Sequence, residues 1–141
     1  MARLEQVNIV VGDMDAMAAF YRQLGVNLGD GVPQWAPHHR NTGTQEGVDL
    51  DLDSESFASV WNAGWPGGSG VVLGFRVEDR ATVDRTYAEL TRAGYPSQQP
   101  PYDAFWGARY AVVSDPDGNS VGIMSPVDEG LRTAPPPVPI G

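Results

Sequence analysis

Apolar and polar residues alternate at the start of the chain: Val7, Ile9 and Val11 fall on one side, Gln6, Asn8 and Val10 on the other. This is the two-residue period of a strand whose faces meet different surroundings. Met17, Phe20, Tyr21 and Leu24 follow at helical spacing, with Asp13 placed as an N-cap and Gly25 as a left-handed stop. The phrase returns in the second half. There Val71, Leu73, Phe75 and Val77 alternate with Val72, Gly74 and Arg76, Asp79 repeats Asp13, and Gly94 closes a helical run carrying Val83, Tyr87 and Leu90 on one side. A repeated strand-helix unit constrains architecture more than any single element does.

Each predicted helix is followed by strand-like pieces: "VNL", "PQWAPHHRN" and "VDLDLDS" in the first half, "PSQQP", "ARYAVVSD" and "SVGIMS" in the second. The pattern strand, helix, strand, strand, strand, written twice, predicts an α+β domain of two βαβββ modules. These span about 3–54 and 70–127 of a single domain over 1–127, each half-sheet having one face under a helix and the other free to form a concavity. The connection over 55–69 reads as a short helical turn and a Gly-rich linker. The segment 128–141, with three consecutive prolines, reads as an extended tail reaching over a neighbour. The string "DPDGN" before the last strand is a hairpin turn rather than a calcium loop, because no spaced later carboxylate follows it.

Composition narrows the function classes. The chain has 9 basic residues, all Arg, against 18 acidic ones, a formal net charge of -9, and no cysteine. Such a surface repels phosphate backbones and anionic lipid, so neither nucleic acid nor a membrane is an expected partner, whereas a neutral or cationic small molecule is. Thiolate metal sites, disulfides and cysteine nucleophiles are excluded. No apolar run approaches a membrane span and "MARLEQV" lacks the features of a secretory signal, so a cytoplasmic protein is expected.

Candidate chemistry is sparse. His38 and His39 are adjacent, so on a strand they point to opposite faces; one of them faces the concavity and is a candidate base, with Asp49 or Asp51 as its partner. Trp35 and Trp106 are candidates for the concave wall, since ligand pockets combine aromatic surfaces with a few polar groups. Arg109 and Arg76 are possible anion contacts or neutralisers of nearby carboxylates. "GGSG" lacks the Lys and the following apolar helix of a phosphate loop.

The segments "VVGDMDAMAAFYRQLGV", "FRVEDRATVDRTYAELTRAGY" and "DPDGNSVGIMSP" resemble the vicinal oxygen chelate superfamily, which holds glyoxalase I, bleomycin-resistance proteins and extradiol dioxygenases. The resemblance covers roughly Arg3 to Pro126. It implies a cup formed by the two modules, a homodimer, and in the family's enzymes a metal held by His or Gln in the first strand of each module and a carboxylate in the last. Carried over, these positions fall on Gln6 and Asp51 in the first module but on Val72 and Gly122 in the second. An apolar side chain and a hydrogen atom offer no lone pairs. The resemblance therefore points to the metal-less branch: a protein without cofactor that binds an aromatic or cationic organic ligand, as antibiotic-sequestering relatives do. Its expected ligand-binding set is Gln6, Asn8, Trp35, His38, Asp49, Asp51, Trp106 and Arg109. Two alternatives stand beside it. One is a lyase, isomerase or dioxygenase using a non-standard divalent metal site or His38 or His39 as base; the other is a dimeric interaction module recruiting a partner through its tail.

Overall fold

The computed structural model describes residues 2–43 and 47–138. Its elements are β1 (Arg3–Val11), α1 (Met14–Gln23), β2 (His39–Asn41), β3 (Asp49–Ser54), α2 (Glu55–Trp61), β4 (Gly70–Arg76), α3 (Arg80–Arg92), β5 (Ser97–Asp103), β6 (Arg109–Ser114) and β7 (Ser120–Met124). A 3-10 turn, Glu129–Leu131, follows. The strands form one sheet in the order β2-β3-β1-β4-β7-β6-β5. The two repeat strands, β1 and β4, lie antiparallel at its centre, and each takes the last strand of its own module as a parallel neighbour, β3 and β7. Val7 pairs with Leu73, with Asn8 opposite Val72 and Gln6 opposite Gly74, so the modules face each other about this point.

The helices begin and end where the side chains dictate. The Asp13 carboxylate accepts from Ala16 N and the Asp79 carboxylate from Thr82 N, each satisfying an amide that the first turn leaves open. Gly25 and Gly94 stop the helices with φ of 90° and 104°, where a Cβ would be strained. Helix α1 buries Met14 and Ala18 against Val11, Leu28 and Leu52. Phe20 and Leu24, on the predicted apolar stripe, stand exposed instead. Helix α3 sets Val83, Tyr87 and Leu90 on Ala111, Val113 and Ile123. Both helices lie on one face of the sheet, which leaves the other to curve into a cup.

Three expectations are corrected. "VNL" is a loop, because the Arg22 guanidinium takes the carbonyl of Leu28 at 3.1 Å and that of Gly29 at 3.3 Å, and Leu28 N turns back to Val26 O. The first module is thus βαββ and the sheet has seven strands. In "PQWAPHHRN" only His39–Asn41 is strand; 33–38 is a turn in which Trp35 N and Ala36 N both donate to Val32 O. Pro33 and Pro37, without N–H groups, suit such a turn better than a ladder. The helical turn expected at the start of the connection is α2, which Ser54 caps by accepting from Phe57 N and which buries Phe57, Ala58 and Trp61. The tail turns back over its own chain: Asp128 N donates to Gly107 O and Thr133 N to Phe105 O. Among the described residues no helix is long and apolar enough to cross a membrane.

Candidate functional site

The floor of the cup comes from strand alternation. Register places Gln6 beside Asp49, Asn8 beside Asp51 and Val10 beside Asp53, and the polar members of these pairs line the cavity. Three carboxylates in phase on one strand repel one another, and each meets a different environment. Asp53 is fully engaged: Asn8 Nδ2 donates to its Oδ2 at 2.7 Å, and His39 Nδ1 lies 2.6 Å from its Oδ1. Gln6 Nε2 donates to Asn8 Oδ1 at 2.8 Å, so the two amides are oriented in series. The Thr42 hydroxyl donates to Asp49. Asp51 is different. Its Oδ2 stands 4.0 Å from His39 Nε2 and its Oδ1 is buried with no hydrogen-bond partner, although the residue is only 5% exposed.

These contacts set the proton affinities. Burial, then the Asp53 charge, pushes the Asp51 carboxyl well above its ordinary 3.8, with His39 opposing. For His39, burial works against the imidazolium, but the hydrogen bond and charge of Asp53, backed by Asp51 and Asp49, outweigh it and raise the pKa from 6.5.

The second module builds the opposite wall from apolar matter. Its register places Val72 beside Ser120 and Gly74 beside Gly122. A Cβ added at Gly122 would stand 2.7 Å from Tyr110 Oη, and one at Gly74 would stand 2.8 Å from Met124 Cε. Neither position has room for a side chain while Tyr110 and Met124 lie where they do. Around them runs a continuous aromatic shell. Trp106 and Trp61 meet Tyr110 edge-on at 5.4 and 6.1 Å between ring centres, Phe105 meets Trp106 at 5.2 Å, and Trp35 bridges Phe57 at 5.2 Å to Phe105 at 6.4 Å. Between floor and shell lies a cavity of about 480 Å³, within the range of small-molecule sites. Its rim includes Gly29, Gly31, Val32 and Arg40, with Arg132 and Pro135 from the tail. Arg40 is held by Asp15 at 2.7 Å and Arg132 by Glu129 at 2.8 Å, so neither guanidinium cancels the acidic floor.

The structure brings Gln6, Asn8, Trp35, His39, Asp49, Asp51 and Trp106 together in this lining. It places two candidates elsewhere. His38 turns away, its Nδ1 2.9 Å from Ser54 Oγ, and lines a shallow depression with Gln34, Trp35 and the tail prolines. Arg109 leaves the cup side altogether: it bonds Asp84 Oδ1 at 2.9 Å on α3 and Asp103 Oδ1 at 3.2 Å, which is charge neutralisation. Arg76 likewise pairs with Glu5 at 3.2 Å. Sequence reasoning did not single out Asp53, Phe57, Trp61, Phe105 or Tyr110. Asp53 was signalled by sharing phase with Asp49 and Asp51; the aromatic residues carried no mark separating cup wall from core.

In the family's enzymes a metal sits in the cup, and of the four positions mapped to its ligands, Gln6 and Asp51 carry oxygen donors here while Val72 and Gly122 carry none. The second module supplies Val72, buried, and Gly122, whose side-chain space Tyr110 fills. In the first, Asp53 and Asn8 are committed to each other and to His39 and Gln6. Among the described residues no group of three or more His, Cys, Asp or Glu side chains is arranged to hold a metal ion.

Solved structures share this architecture. A Legionella pneumophila protein described as NAD-dependent benzaldehyde dehydrogenase is 21% identical with a TM-score of 0.63, over 85% of this chain and 96% of its own. The Mn(II)-bound glyoxalase from Novosphingobium aromaticivorans is 20% identical with a TM-score of 0.61, over 95% of this chain and 43% of its own. A glyoxalase/bleomycin resistance protein/dioxygenase superfamily member from Vibrio splendidus 12B01 is 18% identical with a TM-score of 0.59, over 89% of this chain and all of its own. At such identities these likenesses speak for the fold alone. No curated protein matches the sequence. The family profile of the Glyoxalase/Bleomycin resistance protein/Dioxygenase superfamily does match, over residues 3–123. Two strand-helix units face each other about one sheet, and the "DPDGN" turn leads into β7 below an open cup; the chain belongs to that superfamily.

Proposed function

We propose that the cup binds an organic molecule with an aromatic or other apolar body and a cationic group, without a metal and without converting it, so that the protein sequesters its ligand. The observation that carries this reading is the division of the cavity lining: carboxylates and amides from β1 and β3, and aromatic rings from the turn over 33–38, α2 and the second module. Aromatic rings bury large apolar areas, and their faces attract cations as well. A drug-sized antibiotic is one ligand of the right character. Support for the metal-free part comes from Tyr110 and Met124 filling the space above Gly122 and Gly74.

A second reading, proton-transfer catalysis, draws on the His39–Asp53 contact at 2.6 Å, which fixes the imidazole beside the cavity. One experiment separates the two. A panel of aromatic cations and uncharged isosteres is titrated while tryptophan fluorescence is followed, and the bound compound is then recovered and weighed by mass spectrometry. Saturable quenching by the cations with unchanged mass supports sequestration. Converted ligand supports catalysis, and stoichiometric uptake of Mn²⁺, Ni²⁺ or Zn²⁺ in the same buffer contradicts the metal-free reading. A homodimer is proposed as well; light scattering should give twice the chain mass, and the chain mass alone would contradict it.

A further inference from the structure

The acidic floor asks for more than positive charge. Asp53 has both oxygens occupied by Asn8 and His39, and Asp49 receives Thr42. Asp51, with 8% of its side chain exposed, keeps one buried oxygen that no donor reaches, and the residue lines the cavity. A buried acceptor without a donor is costly, and the usual remedy is a partner that arrives with the ligand. Charged neighbours do not supply that partner. On β2 the His39 Nε2 faces the other oxygen, Oδ2, at 4.0 Å, and does not partner Oδ1. Arg40 is turned to Asp15 and the Ala36 carbonyl, and Arg132 to Glu129. β1 contributes Asn8, whose Nδ2 donates to Asp53 and does not reach Asp51 Oδ1, and the wall of β6 and β7 beyond contributes Tyr110 and Met124. The missing partner is therefore a donor carried by the ligand, and beside three carboxylates a charged donor is favoured over a neutral one.

Resting on the reading of the cup as a small-molecule site, we propose that its ligand is a protonated amine whose N–H group hydrogen-bonds to the Asp51 carboxyl, the side chain turning its buried Oδ1 to the cavity, while the apolar body lies against Trp106 and Tyr110. The amine is primary, secondary or tertiary. A quaternary ammonium brings the charge but no hydrogen, and leaves the oxygen unpartnered.

The test compares three probes of one shape by calorimetry at neutral pH: 1-naphthylmethylamine, 1-naphthylmethanol and the (1-naphthylmethyl)trimethylammonium ion. The amine should bind at least about tenfold more tightly than either of the others, the worth of a charged hydrogen bond. In Asp51→Asn that preference should shrink to about threefold or less, while the alcohol keeps its affinity. Equal binding of all three overturns the amine assignment and leaves the small-molecule cup standing. Tighter binding of the trimethylammonium ion also overturns it, since charge alone then suffices. Failure of all three to bind overturns both. The ranking on the unmodified protein decides the matter even if Asp51→Asn folds poorly.

Discussion

Gly122 and Asp51 occupy corresponding places beside the two central strands, and their difference determines the character of the cup. Gly122 is bare because Tyr110 lies across it, with the hydroxyl 2.7 Å from where a Cβ would be. Gly122→Ala should therefore destabilise the fold by about 1–3 kcal/mol, the usual cost of overpacking, and Gly122→Glu by more. Adding Tyr110→Phe removes the nearest clashing atom, so a double-mutant cycle should show coupling of about 1 kcal/mol in denaturant unfolding; additive effects would mean that the ring does not lie there. Asp51 shows the opposite problem, a carboxyl in a place with too few partners. Its pKa is raised in the folded state, so the folded protein binds the proton more tightly than the unfolded chain, and stability falls as pH rises above the ordinary 3.8. Asp51→Asn should leave the melting temperature unchanged below that pH and raise it by a few degrees, about 3–8 °C, near neutrality. A melting temperature lowered by the substitution at neutral pH would show that the carboxylate is stabilised by partners.

Among the elements, those with local signals were legible and those shaped by tertiary contact were not. The repeat, both N-caps, both glycine stops and the turn before β7 each rest on a local rule: two-residue alternation, a side-chain oxygen for open amides, or a left-handed φ. The acidic alternation of β3 likewise revealed which carboxylates share a face. By contrast "VNL" fails as a strand because a guanidinium from α1 takes the Leu28 carbonyl, and Arg22 carries no sign of that in the sequence. Helix α2 was legible as a helical turn, but the surface it packs against was not. It is short, yet it places Phe57 and Trp61 against the β6 wall, and Tyr102 Oη donates to Trp61 O at 3.0 Å. A linker would tolerate its loss. Trp61→Ala should instead cost about 3–5 kcal/mol in unfolding free energy, and binding of an aromatic probe should weaken with it. A change below 1 kcal/mol would return the segment to the status of a connector. His38 and His39 show the limit of reasoning by alternation: their opposed directions were foreseeable, but which one meets Asp53 depends on where the turn over 33–38 ends.

At the scale of the whole molecule, the chain's own tail covers part of the cup's rim. Arg132 and Pro135 reach the cavity, Thr133 N donates to Phe105 O, and Val138 packs near the aromatic cluster. Removing residues 132–141 should raise both association and dissociation rates of a bound probe in stopped-flow measurements without unfolding the sheet; unchanged rates would show that the tail does not screen the opening. The formal net charge of -9 draws cations towards that opening at low ionic strength, an effect that salt screens. The central claim, that an organic ligand lies between the acidic floor and the aromatic shell, has a direct readout in four indoles. Trp35, Trp61 and Trp106 line the cavity, whereas the Trp65 indole donates to Gly68 O outside it. The measurement is an NMR titration of the four indole N–H signals with 1-naphthylmethylamine. The signals of Trp35, Trp61 and Trp106 should move together and saturate while that of Trp65 moves least. Four unmoved signals, or movement of Trp65 alone, would contradict the account.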